Sequence, residues 1–191
     1  MNSILMRFLL KFHALQGKLT SICEKNKFIL ELKKNAKSNI SNHLKIGKNT
    51  TYLISDDAII SFGTHIDIRN NCNFVAGKNA AMIIENNVFM NNSCSVNCLE
   101  KITIGENTLF GEGVKLYDHN HQYSDQKIEH QKFTTAPINI GKSCWLGSNV
   151  IVLKGVNIGD NSIIGAGCII YKDIPANSLV TNNQELNIKT L

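Results

Sequence analysis

Between residues 140 and 175 an aliphatic position recurs every six residues. Ile140, Leu146, Val152, Ile158, Ile164 and Ile170 open six consecutive units. Their fifth positions, Cys144, Val150, Val156, Ser162, Cys168 and Ile174, are small or β-branched, and Gly141, Gly147, Gly159 and Gly165 fill four second positions. A strict period of six drifts around a helix, whose apolar face recurs every three to four residues. It suits an extended segment, because positions one and five share a parity and point to one side. Glycine then serves a corner that needs an unusual dihedral or close packing. Repetition at a fixed short period builds solenoids. The pattern therefore predicts an all-β solenoid, a parallel β-helix of hexapeptide repeats with three units per turn. Residues eighteen apart should stack: Ile140 under Ile158 and Ala176, Leu146 under Ile164, Val152 under Ile170.

Upstream the period is looser. It starts near residue 40, runs through Ile46, Ile54, Ile60, Ile66 and Cys72, breaks at Lys78, and resumes at Ile84, Met90 and Val96. An irregular rung is expected near 74–82. Asparagine is dense over 70–97, where its tolerance of left-handed geometry suits corners. Three clean units follow (Ile104-Gly105, Phe110-Gly111, Leu116-Tyr117) before the polar stretch 122–139, which lacks the repeat. A long loop without structure of its own inside a compact domain is usually functional. At the start of the chain Leu5, Phe8, Leu9, Phe12, Leu15, Leu19 and Ile22 fall at helical spacing among Arg7, Lys11 and Lys18. This predicts an amphipathic basic helix over 4–22 and a second helical stretch over 24–34. Its apolar run is too interrupted to span a bilayer. Two readings stay open: a cap on the first turn of the coil, or peripheral contact with the inner face of an anionic cell membrane. The expected organisation is a helical segment at 1–39, a coil at 40–180 with a loop at 122–139, and a tail at 181–191.

Charge sharpens this division. The net charge is +5, yet residues 1–37 hold eight Lys and Arg against Glu24 and Glu31, a surplus of six, which leaves the rest at −1. A near-neutral coil argues against nucleic-acid binding. The six cysteines fit a reducing cytoplasm, and the N-terminal apolar run lacks a small-residue cleavage site. Cys144 and Cys168 occupy small core positions, where a thiol acts as a small hydrophobe. Cys94 and Cys98 have no second Cys pair or His pair to complete a zinc site.

The runs ITIGENTLFGEGVKLYDHNH (102–121) and INIGKSCWLGSNVIVLKGVNIGDNSIIGAGCIIYKDIPANSLV (138–180) resemble the hexapeptide-repeat acyltransferases. The branch they look closest to is that of the maltose, galactoside and polysaccharide O-acetyltransferases. The resemblance covers roughly residues 40–180. It implies a left-handed coil, a homotrimer with sites at subunit interfaces, acetyl-CoA as co-substrate, and no metal. It also implies His119, the first histidine of the HNH run, as the base. Acetyl transfer to a hydroxyl needs one, since an alcohol is a poor nucleophile until its proton is taken. The resemblance further implies Trp145 along the acetyl and pantetheine arm, Ser148 and Ala166 as backbone donors to it, and Lys172 at a CoA phosphate. Asn91 and His121 are expected at the acceptor. Neighbouring residues on a strand point to opposite sides, so Asp118 is not expected to meet the His119 ring.

The family's usual small hydroxyl residue is replaced by Tyr171, and the AG-(N/V)-PA ending by Thr181-Asn182-Asn183 and an acid, Glu185. The expected function is transfer of acetyl from acetyl-CoA to a hydroxyl of a bacterial surface carbohydrate: capsule, lipopolysaccharide or a sialylated glycan. Lys127, His130 and Lys132 favour an acidic glycan. The alternatives are N-acetylation of an amino sugar or nucleotide sugar, a zinc site of His65, His119 and His121, and a non-catalytic scaffold.

Overall fold

The hexapeptide pattern becomes a three-sided coil. The structure, a computed structural model, describes residues 3–41, 43–124 and 127–183. Among these, three parallel ladders of six, seven and six strands make the walls. The first ladder begins with Ala36–Ile40 and ends with Asn157–Ile158. The second runs from Leu44–Ile46 to Leu179–Val180, and the third from Thr51–Ile54 to Ile169–Ile170. The chain visits them in that order and repeats, so every strand pairs with the strand one turn away. All six first positions of the 140–175 repeat and all six fifth positions point inward and are buried.

Register holds where the repeat is cleanest. Trp145 pairs with Ile163 and Val152 with Ile170, eighteen residues apart. The last rung is shorter than expected: Ile158 bridges Ile174, not Ala176. Early rungs are longer, with Ala36 opposite Ala58 and Ile59 opposite Ala81, twenty-two apart. Ala81 then pairs with Lys101, twenty apart. The irregularity expected near 74–82 is thus a uniformly longer rung, which a search for sixes reads as a broken period.

Glycine and asparagine divide the corners. Among the described residues eight asparagines adopt positive φ, including Asn49, Asn71 and Asn149 at one corner and Asn87, Asn107, Asn161 and Asn177 at another. Of the nine asparagines over 70–97, Asn71, Asn79 and Asn87 do so. Others cap the neighbouring rung; Asn70 Oδ1 accepts from the Lys48 amide and Asn86 Oδ1 from the Thr64 amide, both at 2.8 Å. The second-position glycines serve close approach instead. A Cβ on Gly147 would sit 2.7 Å from the Ala166 nitrogen on the next turn.

The N-terminus departs from expectation in continuity. One helix runs Ser3–Asn35 without a break, and the first strand starts at Ala36, a few residues before the expected boundary. Phe28 and Leu32 are fully buried over the first turn, and Phe28 meets Tyr52, Phe62 and Phe74 with ring centroids 5.1 to 6.1 Å apart. This end of the helix caps the coil. The C-terminal tail beyond residue 183 lies outside the described residues.

Candidate active site

Among the described residues the coil is interrupted at the corner between the third and first ladders. Lys115 pairs with Ile151, thirty-six residues on, which is twice the following rung. The polar stretch expected to be a loop is an antiparallel hairpin of His119–Ser124 and Lys127–Thr135, with an irregularity between His121 and Gln122. The coil closes behind it, because Ala136 donates its amide to the Asp118 carbonyl at 2.9 Å. His119 and His121 therefore belong to the outgoing hairpin strand.

Asp118 marks the junction and is fully buried. Its carboxylate accepts three successive backbone amides from the same corner one turn earlier: Leu99 at 2.8 Å, Glu100 at 2.8 Å and Lys101 at 3.0 Å. Consecutive amides converging on one point form a concavity that holds an anion. The same carboxylate also meets His119 Nδ1, 3.2 Å from Oδ1. This overturns the expectation that Asp118 avoids the imidazole. Alternation along a strand does not apply, because Asp118 lies between two strands at the point where the chain leaves the coil. An ionised carboxylate can only accept, so in the neutral ring the contact assigns the proton to Nδ1 and leaves Nε2 with its lone pair.

Aromatic packing fixes the ring further. Phe133, on the returning strand, meets His119 edge-on at 5.3 Å and His121 at 4.7 Å, and Tyr117 lies edge-on at 6.4 Å. Phe133 was not foreseen as a site residue; its cross-strand pairing with His121 exists only once the hairpin forms. The His119 side chain keeps 18% of its surface exposed. A recess of about 470 Å³ along the hairpin is lined by Asn120, His121, Gln122, Tyr123, Thr134 and Lys154, without His119. Below the carboxylate, burial and the Asp118 charge push the Cys98 thiol well above its ordinary range.

Residues 137–172 match the model of the hexapeptide repeat of succinyl-transferase. The galactoside O-acetyltransferase of Escherichia coli is 43% identical over 76 residues, which is 40% of this chain and 37% of that protein. A putative lipopolysaccharide biosynthesis O-acetyl transferase, WbbJ of Escherichia coli, is 29% identical over 66% of this chain and 69% of its own. The chain thus carries the hexapeptide repeat and is similar in sequence to hexapeptide-repeat acetyltransferases. The chain spans about half the length, or less, of most curated relatives it matches. In fold it is similar to a hexapeptide-repeat-containing acetyltransferase from Vibrio cholerae complexed with acetyl coenzyme A. The TM-score there is 0.57 at 19% identity, over 82% of this chain and 71% of that one.

The residues that family resemblance nominates fall into two groups. His119 and His121 lie at the corner that ends each strand of the third ladder, and Lys172 lies at the same corner two rungs on. Ser148 and Ala166 lie at the opposite corner, before the third ladder, with their backbones adjacent across one turn. Asn91 belongs to that second group, and its Oδ1 accepts from the Asn92 amide at 2.8 Å. Trp145 is a strand residue, not a corner one. It lies on the outer face of the second ladder, 53% exposed, between Leu109 and Ile163. Within one chain, the third ladder separates the imidazole from Trp145, Ser148 and Ala166.

The thiols of Cys72 and Cys94 meet on adjacent turns, and the hydrogen bond between them lowers Cys72 and raises Cys94 from the ordinary thiol range. Cys94 Sγ donates to the Gly111 carbonyl and Cys98 Sγ to that of Ala81. Among the described residues no group of three or more His, Cys, Asp or Glu is placed to hold a metal ion. His65 stands at a different corner from His119, stacked on His43 at 5.1 Å. Of the hairpin residues expected to favour an acidic glycan, Lys127 is paired with Glu129 at 3.0 Å, while His130 and Lys132 are exposed.

Proposed function

We propose that this chain transfers an acetyl group from acetyl-CoA to a hydroxyl of a bacterial surface carbohydrate, with His119 as the base. The observation that carries the reading is the Asp118–His119 pair, a buried carboxylate seated on three amides and aimed at Nδ1, standing where the coil opens. Nε2 takes the acceptor proton as the hydroxyl oxygen attacks the thioester carbonyl. Asp118 steadies the imidazolium that forms. The tetrahedral intermediate collapses by breaking the carbon–sulfur bond, and the departing thiolate takes the proton from Nε2. A base held in one tautomer within reach of its substrate contributes about 10²- to 10⁴-fold. Names among the relatives support an oxygen acceptor.

The separation of the two residue groups supports a site shared between copies. In that arrangement one chain supplies His119, His121 and Lys172, while another brings Trp145, Ser148, Ala166 and Asn91 to the same groove. A homotrimer suits a three-sided coil. The apolar column Leu109, Trp145, Ile163 and Leu179, between 40 and 70% exposed, is a surface that association would cover. Dependence on acetyl-CoA supports a cytoplasmic location. Lys127 is neutralised by Glu129, so the preference for acidic glycans rests on His130 and Lys132.

Thiol release from acetyl-CoA, measured against a panel of neutral and anionic glycans and amino sugars, tests this reading. Release with hydroxyl acceptors, lost in His119→Ala, is expected. Release only with amino-sugar acceptors would move the assignment to N-acetylation, and no release with any acceptor would remove it.

A further inference from the structure

The long N-terminal helix turns one stripe to the coil and carries a second, apolar stripe on the other side. The stripe facing the coil runs through Gly17, Thr20, Glu24, Phe28 and Leu32, all at least partly covered. Phe28 and Leu32 anchor it. A second stripe, Phe8, Phe12, Leu15, Leu19 and Ile22, advances by four and three residues alternately and so stays on one face. It shares no residue with the first and lies on the other side of the helix. All five side chains are between 48 and 64% exposed; Met6, Leu9 and Leu10, 40 to 62% exposed, lie on other faces of the same turns. Burying the helix on the coil leaves this face open.

Two partners suit an open apolar stripe: a like helix from another copy, or a lipid surface. Charge separates them. Arg7, Lys11 and Lys18 are all exposed, and Lys11 and Lys18 stand immediately beside stripe residues, seven apart on one edge. No acidic residue occurs before Glu24. A self-paired coiled coil sets opposite charges across its seam, and here the flanking charges are all positive. Two phenylalanines in the stripe also favour an acyl boundary over a paired-helix seam. Among the described residues no helix is long and apolar enough to cross a membrane, which leaves a helix lying in the interface plane.

We propose that residues 6–22 dock the protein on an anionic phospholipid bilayer, with Phe8, Phe12, Leu15, Leu19 and Ile22 in the acyl boundary and Arg7, Lys11 and Lys18 at the headgroups. The inference is independent of acetyl transfer and needs no co-substrate to test.

The full chain is sedimented with large vesicles of phosphatidylcholine alone and with one third phosphatidylglycerol, at low and high salt. Binding to the anionic vesicles only, weakened by salt, is expected. Charge reversal at Lys11→Glu with Lys18→Glu should lower partitioning about tenfold or more. Phe8→Ser with Phe12→Ser and Leu15→Ser should abolish it, with circular dichroism of the coil and the oligomer mass by light scattering unchanged. Absence of binding to anionic vesicles overturns the proposal. So does a serine variant that still binds, or one whose oligomer mass falls, since the stripe would then be a seam between copies.

Discussion

Two corners of this coil are built alike and the third is not. At the first two, residues of positive φ stack turn upon turn: Asn49, Asn71, Ser93, Gly113, Asn149 and Gly167 at one, His65, Asn87, Asn107, Ser143, Asn161 and Asn177 at the other. The corner that returns the chain to the first ladder carries only Asn79 and Gly155 of that kind among the described residues. It is also where the hairpin leaves, where Asp118 is buried, and where His119 stands. Regular corners set the winding; the irregular one is free to carry chemistry. A rung can gain eighteen residues there because the strands on either side resume their register, so the insertion leaves the ladder intact.

Substitutions at the two kinds of corner should separate turnover from stability. The largest effect is expected at the irregular one. His119→Ala should lower turnover by about 10²- to 10⁴-fold, with the thermal midpoint little changed, since the ring is partly exposed. Next comes Asp118→Asn, which keeps the volume but turns an amide NH₂ toward donors. It should cost about 1–3 kcal/mol in urea unfolding and lower kcat about 10- to 100-fold through loss of the imidazole's orientation. A variant that loses stability alone would make Asp118 a structural residue. At a regular corner, Gly147→Ala forces a Cβ to 2.7 Å from the Ala166 nitrogen. A loss of about 1–3 kcal/mol follows. Smallest is Asn161→Ala, at φ +57°, costing about 1–2 kcal/mol; Asn161→Gly should recover most of it. Both corner losses are read from denaturant midpoints.

The clean half of the coil was readable because six-residue units keep first and fifth positions inward whatever the loops do. Ile140 to Ile174 fall where the period puts them. The early half was harder, since rungs of twenty-two lengthen each side by a residue or two and dissolve the period without disturbing the walls. His119 was legible by its place at the end of the repeat, yet its partner was not. Strand alternation was applied to Asp118, a residue between strands, and only the fold brings Leu99, Glu100 and Lys101 of the previous turn to its carboxylate. Phe133 is a case of the same kind, an aromatic in a polar run until the hairpin sets it against both histidines.

Everything at the irregular corner turns on which imidazole nitrogen of His119 is bare. Nitrogen-15 NMR of the ring at neutral to mildly alkaline pH reads this directly. The account predicts a protonated Nδ1 facing Asp118 and an unprotonated Nε2, with this preference lost in Asp118→Asn. A ring protonated at Nε2 with a bare Nδ1 would contradict it, for that lone pair would face a carboxylate and nothing would remain to take a proton from the acceptor.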